Sequence, residues 1–151
     1  MSVEVEIANE ATEELVASLN QLLPQLSTNA APLSESDVEA LVSSPATVVF
    51  IARDGGRIVG SLTLVVFPIP TGLRSWIEDV VVDGTARGRG IGEALTNAAI
   101  EESRRREVRS IDLTTRPSRE AANRLYARLG FELRETNVYR FLVEPPEGDL
   151  K

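Results

Sequence analysis

The sequence predicts an α/β (α+β) fold in which a mixed, mostly antiparallel central sheet of about six to seven strands is flanked by about four helices. Three observations predict it. Short β-branched runs and helix-periodic runs follow one another in the order β α α β β β α β α β β, 151 residues suffice for one core, and no internal repeat or low-complexity stretch interrupts the pattern. The chain reads as a single domain over residues 1–151, with 144–151 (Glu-Pro-Pro-Glu-Gly-Asp-Leu-Lys) as a frayed tail.

Each element has its own signal. Val3, Val5 and Ile7 alternate with Glu4 and Glu6, the period of a half-buried strand. Leu15, Val16, Leu19, Leu22 and Leu23 recur at helical spacing over residues 11–23, and Pro24 closes that run. Ser34 caps a short second helix carrying Val38, Leu41 and Val42. The β-branched stretch 47–53, the turn Asp54-Gly55-Gly56 and the stretch 57–67 make a hairpin, which Pro68, Pro70 and Gly72 break. Residues 73–83 form the next strand and 91–106 a helix with Ile91, Leu95, Ala98 and Ala99 facing inward. A strand at 110–115, a helix from a Ser118 cap to Leu129, a stop at Gly130, and a closing hairpin of 131–133 with 138–143 complete the chain.

Composition excludes several chemistries. With no cysteine and no histidine there is no disulfide, no thiolate or imidazole metal site, no His-based triad and no histidine base, so no metal is expected. A base must come from Asp, Glu, Tyr or the backbone. The net charge of −7 argues against nucleic acid as a partner. The start of the chain has no signal-peptide pattern and the apolar runs are too short to span a bilayer, so a cytoplasmic protein without a membrane partner is expected. The charge is uneven: residues 1–83 sum to −9 and residues 87–134 to +4. A basic half suits a phosphorylated cofactor and an acidic half suits a cationic acceptor, although the acidic part can equally be a solvated surface.

The most informative stretch is Asp83-Gly-Thr-Ala-Arg87-Gly88-Arg89-Gly90-Ile91-Gly92-Glu93, in which a β-branched strand runs into a glycine-rich turn and then a helix start. Unpaired amides and the positive end of the helix dipole make such a turn an anion site. The glycine spacing fits neither the dinucleotide pattern nor a P-loop, and the only lysine is Lys151. Arg87-x-x-Gly90-x-Gly92 behind a strand instead resembles the acyl-CoA loop of the GNAT superfamily of N-acetyltransferases. A second stretch, Ala122-Asn123-x-Leu125-Tyr126-x-x-Leu129-Gly130-Phe131, is similar to the second GNAT motif and follows in the expected element order. Read alone, that helix shows only an apolar face on which a tyrosine is usually a core residue.

The resemblance implies an acetyl-CoA-dependent N-acetyltransferase acting on a primary amine, a small cationic molecule being favoured over a protein N-terminus or lysine. It implies that Val80, Val81 and Val82 pair through their backbone with the pantetheine arm, that the segment Arg87, Gly88, Arg89, Gly90, Ile91, Gly92 and Glu93 holds the pyrophosphate, and that Asn123 contacts the cofactor. It also implies Tyr126 as the acid that protonates the leaving sulfur. A bulge near Val80 would free an N–H for the carbonyl oxygen. Glu78 and Asp79 are both candidates for the base, with Glu78 favoured because 77–82 resembles the corresponding strand of polyamine-type members. Simple alternation places Trp76, Glu78, Val80 and Val82 on one face and Ile77, Asp79, Val81 and Asp83 on the other. A homodimer is the family's tendency, and a non-catalytic acyl-CoA sensor or partner-binding module is the competing class.

Overall fold

The computed structural model describes residues 3–144, in the order β1 (Val3–Ile7), α1 (Glu13–Leu26), α2 (Glu35–Ser43), β2 (Thr47–Asp54), β3 (Arg57–Ile69), β4 (Gly72–Val82), α3 (Ile91–Arg105), β5 (Ser110–Asp112) and α4 (Glu120–Arg128). The expected tail at 144–151 lies, beyond Glu144, outside the described residues. Two compact units contain these elements, residues up to Leu113 and residues from Thr114 onward.

In the first unit the sheet runs in the order β1-β2-β3-β4-β5, antiparallel except for the parallel β4–β5 pair. Gly55 and Gly56 turn between β2 and β3 with φ of 61° and 85°, a conformation that a side chain would strain. One sheet face carries the buried residues Val48, Phe50, Leu62, Leu64 and Ile77, and α3 packs on β2, β3 and β4 with Ile91, Leu95 and Ala99 buried. The other face joins Val49, Ile51, Ile58 and Val81 to Leu15, Leu19 and Leu22 of α1 and Val38 of α2 in one cluster. Arg53 ties the N-terminal elements together, bonding Glu6 of β1 at 2.7 Å and Glu14 of α1 at 2.9 Å. No helix among the described residues is long and apolar enough to cross a membrane.

Several boundaries depart from expectation. Pro24 does not close α1, which continues to Leu26; the proline sits in the last turn, and Ser27 N–H still bonds the Leu23 carbonyl at 2.9 Å. The Ser34 cap is present as a full capping box with Asp37. β3 runs through Pro68 to Ile69, so the break falls later, at Pro70 and Thr71. Strand β5 is only three residues long and does not reach Thr115. Ser118 is not the cap of α4, whose N-cap position is Arg119.

The sheet has five strands among the described residues, not six to seven, because 131–133 and 138–143 form no strand. β propensity there finds no partner edge: Leu133, Tyr139, Phe141 and Val143 are each at least 87% exposed.

Gly60 gives a direct test of how closely α3 sits on the sheet. A Cβ there would lie 3.0 Å from Ile91 Cγ2 and 3.2 Å from the Val81 carbonyl. Gly60→Val should therefore lower stability by about 1–3 kcal/mol in thermal or urea unfolding. An undiminished Tm would show that Ile91 can move aside without cost.

Candidate functional site

β4 is the strand on which the candidate site is built, and its register is broken once. Val81 pairs with Ser61 and Glu78 with Thr63, so Asp79 and Val80 together stand opposite Leu62. This is a β-bulge. Asp79 takes up the extra residue with φ of 48°, a left-handed conformation that aspartate tolerates better than most residues. The bulge overturns the simple alternation expected from sequence. Glu78 and Val81 now share the α1/α2 face while Ile77 remains on the α3 face, since an extra residue inverts the side of everything after it.

The pairing of β4 with β5 ends at Trp76 and Asp112. From Ile77 to Val82 no described strand pairs along that edge of β4, so Val80, Val81 and Val82 lie beyond the end of the β4–β5 ladder. Glu78 is exposed, so the desolvating apolar surround suggested by its sequence neighbours is not present. Asp79 and Val80 are half-buried.

Beyond β4 the chain makes a single 3-10 turn at Gly84–Ala86 and then the glycine loop. The turn's own amides are satisfied: Gln25 Oε1 of α1 accepts from Gly84 N–H at 2.9 Å, and Asp83 Oδ1 accepts from the Thr85 N–H and hydroxyl, each at 3.0 Å. Asp83 is buried, and these Thr85 bonds, with Arg57 at 3.4 Å, hold its carboxyl below the ordinary aspartate range against the opposing effect of burial.

Gly88 and Gly90 both have positive φ, 83° and 75°, with open space where a Cβ would stand. Backbone conformation, not crowding, therefore requires glycine here. Gly90 is the N-cap of α3 and offers no side-chain cap. Ala94 is the first residue of α3 to bond back, to the Gly90 carbonyl at 2.9 Å, so the dipole's positive end and the helix's first turn face the glycine loop. Arg87 is exposed. Arg89 forms an ion pair with Asp54 at the end of β2, a partner its position in the loop does not suggest. With five N–H donors, its guanidinium can hold Asp54 and still face an anion.

The second unit carries the other two candidate residues. Asn123 donates both amide hydrogens to backbone carbonyls, Arg116 at 3.0 Å and Arg119 at 2.8 Å, and so anchors the chain entering α4. Its Oδ1 is left as the group for a ligand. Tyr126 is half-buried and packs edge-on against Phe131, ring centroids 5.6 Å apart. Burial pushes its phenol above the ordinary tyrosine range, outweighing the opposing charge of Arg119, so it carries its proton at neutral pH.

The order of elements around this strand and its glycine turn is matched by comparison with known families. The acetyltransferase (GNAT) family model matches residues 10–131. The chain belongs to the GNAT family. It is 40% identical over 95 residues to a glucosamine 6-phosphate N-acetyltransferase of Trypanosoma brucei brucei, covering 61% of this chain and 63% of that protein. It is 32% identical over 123 residues to glucosamine 6-phosphate N-acetyltransferase 1 of Oryza sativa subsp. japonica, covering 75% and 70%. A crystal structure of a Trypanosoma brucei acetyltransferase superposes with a TM-score of 0.77 at 29% identity, over 93% of this chain and all of that one. Across four curated relatives the chain spans between 26% and 63% of their length.

Sequence reasoning passed over Asp83, Gln25 and Asp54 as supports of this GNAT loop. Asp83-Gly84-Thr85 does carry a local signal, a side-chain acceptor two residues before an amide. Gln25 and Asp54 are distant in sequence and carry none.

Two substitution series test the geometry. Alanine and glycine at position 79 both lack the carboxylate, so their difference isolates the backbone: Asp79→Gly should be more stable than Asp79→Ala by about 1 kcal/mol in denaturant unfolding. Equal stabilities would show that the bulge relaxes. Because the folded pKa of Asp83 lies below its unfolded value, its bonds contribute fully above the unfolded value and are lost as pH falls through the folded one. Asp83→Ala should thus lower Tm at pH 7, and the gap to wild type should close below about pH 4. A gap independent of pH would assign the loss to packing alone.

Proposed function

We propose that this GNAT protein is an acetyl-CoA-dependent N-acetyltransferase that acylates the primary amine of a small molecule by direct attack in a ternary complex. The observation that carries the reading is the glycine turn, whose left-handed Gly88 and Gly90 lead without a side-chain cap into α3 behind a strand bulged at Asp79 and Val80. Acetyl-CoA supplies an activated acetyl thioester and several phosphate groups. The left-handed glycines, the open space around them and the uncapped start of α3 fit those phosphates. Arg87 and Arg89 add positive charge, and Asn123 Oδ1 offers a further contact.

In this reading the chain's residues divide the proton and charge transfers among them. The unpaired edge of Val80, Val81 and Val82 aligns the pantetheine arm as a strand would be aligned. An amide freed by the bulge at Val80 stabilises the negative charge that develops on the carbonyl oxygen. Glu78, on the face beside α1, draws a proton from the substrate's ammonium through water, leaving the neutral amine to attack. Tyr126 donates its phenolic proton to the departing sulfur, and its raised pKa keeps that proton available. Relatives named for glucosamine 6-phosphate and for L-2,4-diaminobutyric acid support a small amine as acceptor.

The reading is tested by thiol release from acetyl-CoA with a panel of polyamines, amino acids, amino sugars and peptides, beside calorimetric titration of CoA. Turnover with one amine class is expected. Tight CoA binding without turnover on any amine would favour a sensor instead. Tyr126→Phe should lower kcat by about 10²-fold or more with CoA affinity nearly unchanged. An unaltered kcat would mean that water protonates the sulfur. Gly92→Asp should abolish CoA binding by setting negative charge among the phosphate contacts, and tight binding by that variant would refute the loop assignment.

A further inference from the structure

We propose that Arg74 is a specificity-determining residue of the acceptor face, and that it takes the carboxylate or phosphate of a substrate bearing both a primary amine and an anionic group. The proposal rests on the acetyltransferase reading and names its substrate class.

Side-chain direction along β4 is fixed by a contact on α3. Ser75 Oγ lies 3.2 Å from Ser103 Oγ of that helix, so Arg74 and Trp76 point to the opposite, α1/α2 face. Their partners on β3 are Phe67 and Val65, and Glu78 beyond them pairs with Thr63. The two sheet faces differ in cover. Leu62, Leu64 and Val66 on the α3 face are buried, whereas Thr63, Val65, Phe67 and Trp76 on this face are only half-buried. A half-open apolar strip therefore has a cation at one end and a carboxylate four residues along, about 13 Å between Cα positions at the usual strand rise.

The cation lacks a counter-charge. Among the described residues Arg74 forms no ion pair; its one hydrogen bond, from Nη2 to Thr71 Oγ1, is long at 3.5 Å, and its Nε is buried without an acceptor. Arg109 holds the same turn by donating to the Thr71 carbonyl at 2.6 Å, so a second guanidinium faces that turn and no acid offsets either. The protein around Nε closes it to a ligand, but Nη1 is neither buried nor bonded, and a carboxylate or phosphate across the Nη1 and Nη2 groups would be held in a bidentate fork. Glu78 at the other end of the strip attracts an ammonium. Between them Val65 and Trp76 offer apolar surface to a connecting carbon chain. A substrate cationic at both ends would set a like charge against Arg74, so the strip selects against polyamines.

The test uses 6-aminohexanoate, 6-aminohexyl phosphate and n-hexylamine as acceptors for the wild type, Arg74→Gln and Arg74→Lys. At least one anion-bearing amine should show a lower KM than hexylamine with wild type, and which one does distinguishes carboxylate from phosphate recognition. Arg74→Gln should raise that KM about 10-fold or more and leave kcat, the KM for hexylamine and CoA affinity within about 2-fold. Arg74→Lys, which keeps the charge without the fork, should fall between. A wild type without preference among the three amines overturns the proposal, as does an Arg74→Gln defect equal on all of them. If no amine turns over, the acetyltransferase reading fails by itself. Calorimetric titration of the same three amines then decides about Arg74: binding of an anionic amine lost in Arg74→Gln sustains the assignment, and equal binding by wild type and variant refutes it.

Discussion

The single extra residue in β4 is the constraint on which the first unit's site depends. A regular strand would keep Ile77 and Val81 on one face, yet Ile77 is needed against α3 and Val81 against α1. Asp79 resolves the conflict by entering the left-handed region, where the register gains one residue relative to β3. Such a conformation costs about 1–2 kcal/mol for a residue with a Cβ and persists only where surrounding packing enforces it. Here the enforcement is visible: on either side of the bulge the strand is locked to β3, by Thr63 with Glu78 and by Ser61 with Val81. The strain and the unpaired edge fall in the same few residues.

The loop after β4 shows a second division of labour, between a turn whose amides the protein satisfies and a helix start that no side chain caps. Asp83 and Gln25 occupy the donors of Thr85 and Gly84, which fixes the turn in place. Gly90 brings no side chain to cap the start of α3. A capping Ser or Asp needs an extended backbone, so the left-handed conformation of Gly90, φ 75°, itself keeps a side-chain cap off the start of α3. Gln25 belongs to α1, so the helix that packs on the Val81 face of the sheet also steadies the turn leading to the glycine loop.

The elements of the first unit were largely legible because their signals are local. Alternation gave β1, the glycine pair gave the β2–β3 hairpin, and Ser34 gave the start of α2. What failed to show was non-local. Pro24 reads as a stop, but a proline in the last helical turn need not end it. A bulge near Val80 was expected and is present, but the face assignments along β4 carried simple alternation straight through it and so are inverted past Asp79. The 131–143 segment has strand-forming residues, and whether they form a strand depends on a partner edge that local sequence does not encode. For the site, the glycine loop and Tyr126 were legible as motifs, whereas the supports Gln25 and Asp54 are 59 and 35 residues from the groups they hold.

The charge distribution takes on a different meaning once the strands are placed. The acidic first part of the chain suggests attraction for a cation and nothing more. On the sheet, however, several of those carboxylates are already engaged: Glu6 and Glu14 hold Arg53, Asp54 holds Arg89, and Asp83 meets Arg57. Net charge therefore overstates the field available to an acceptor, because paired carboxylates contribute little beyond about one Debye length. The exception runs the other way. Arg74 is one of only three arginines in the first 83 residues, and unlike Arg53 and Arg57 it has no acidic partner among the described residues. In the acidic part of the chain, the charge left to choose a substrate includes a positive one.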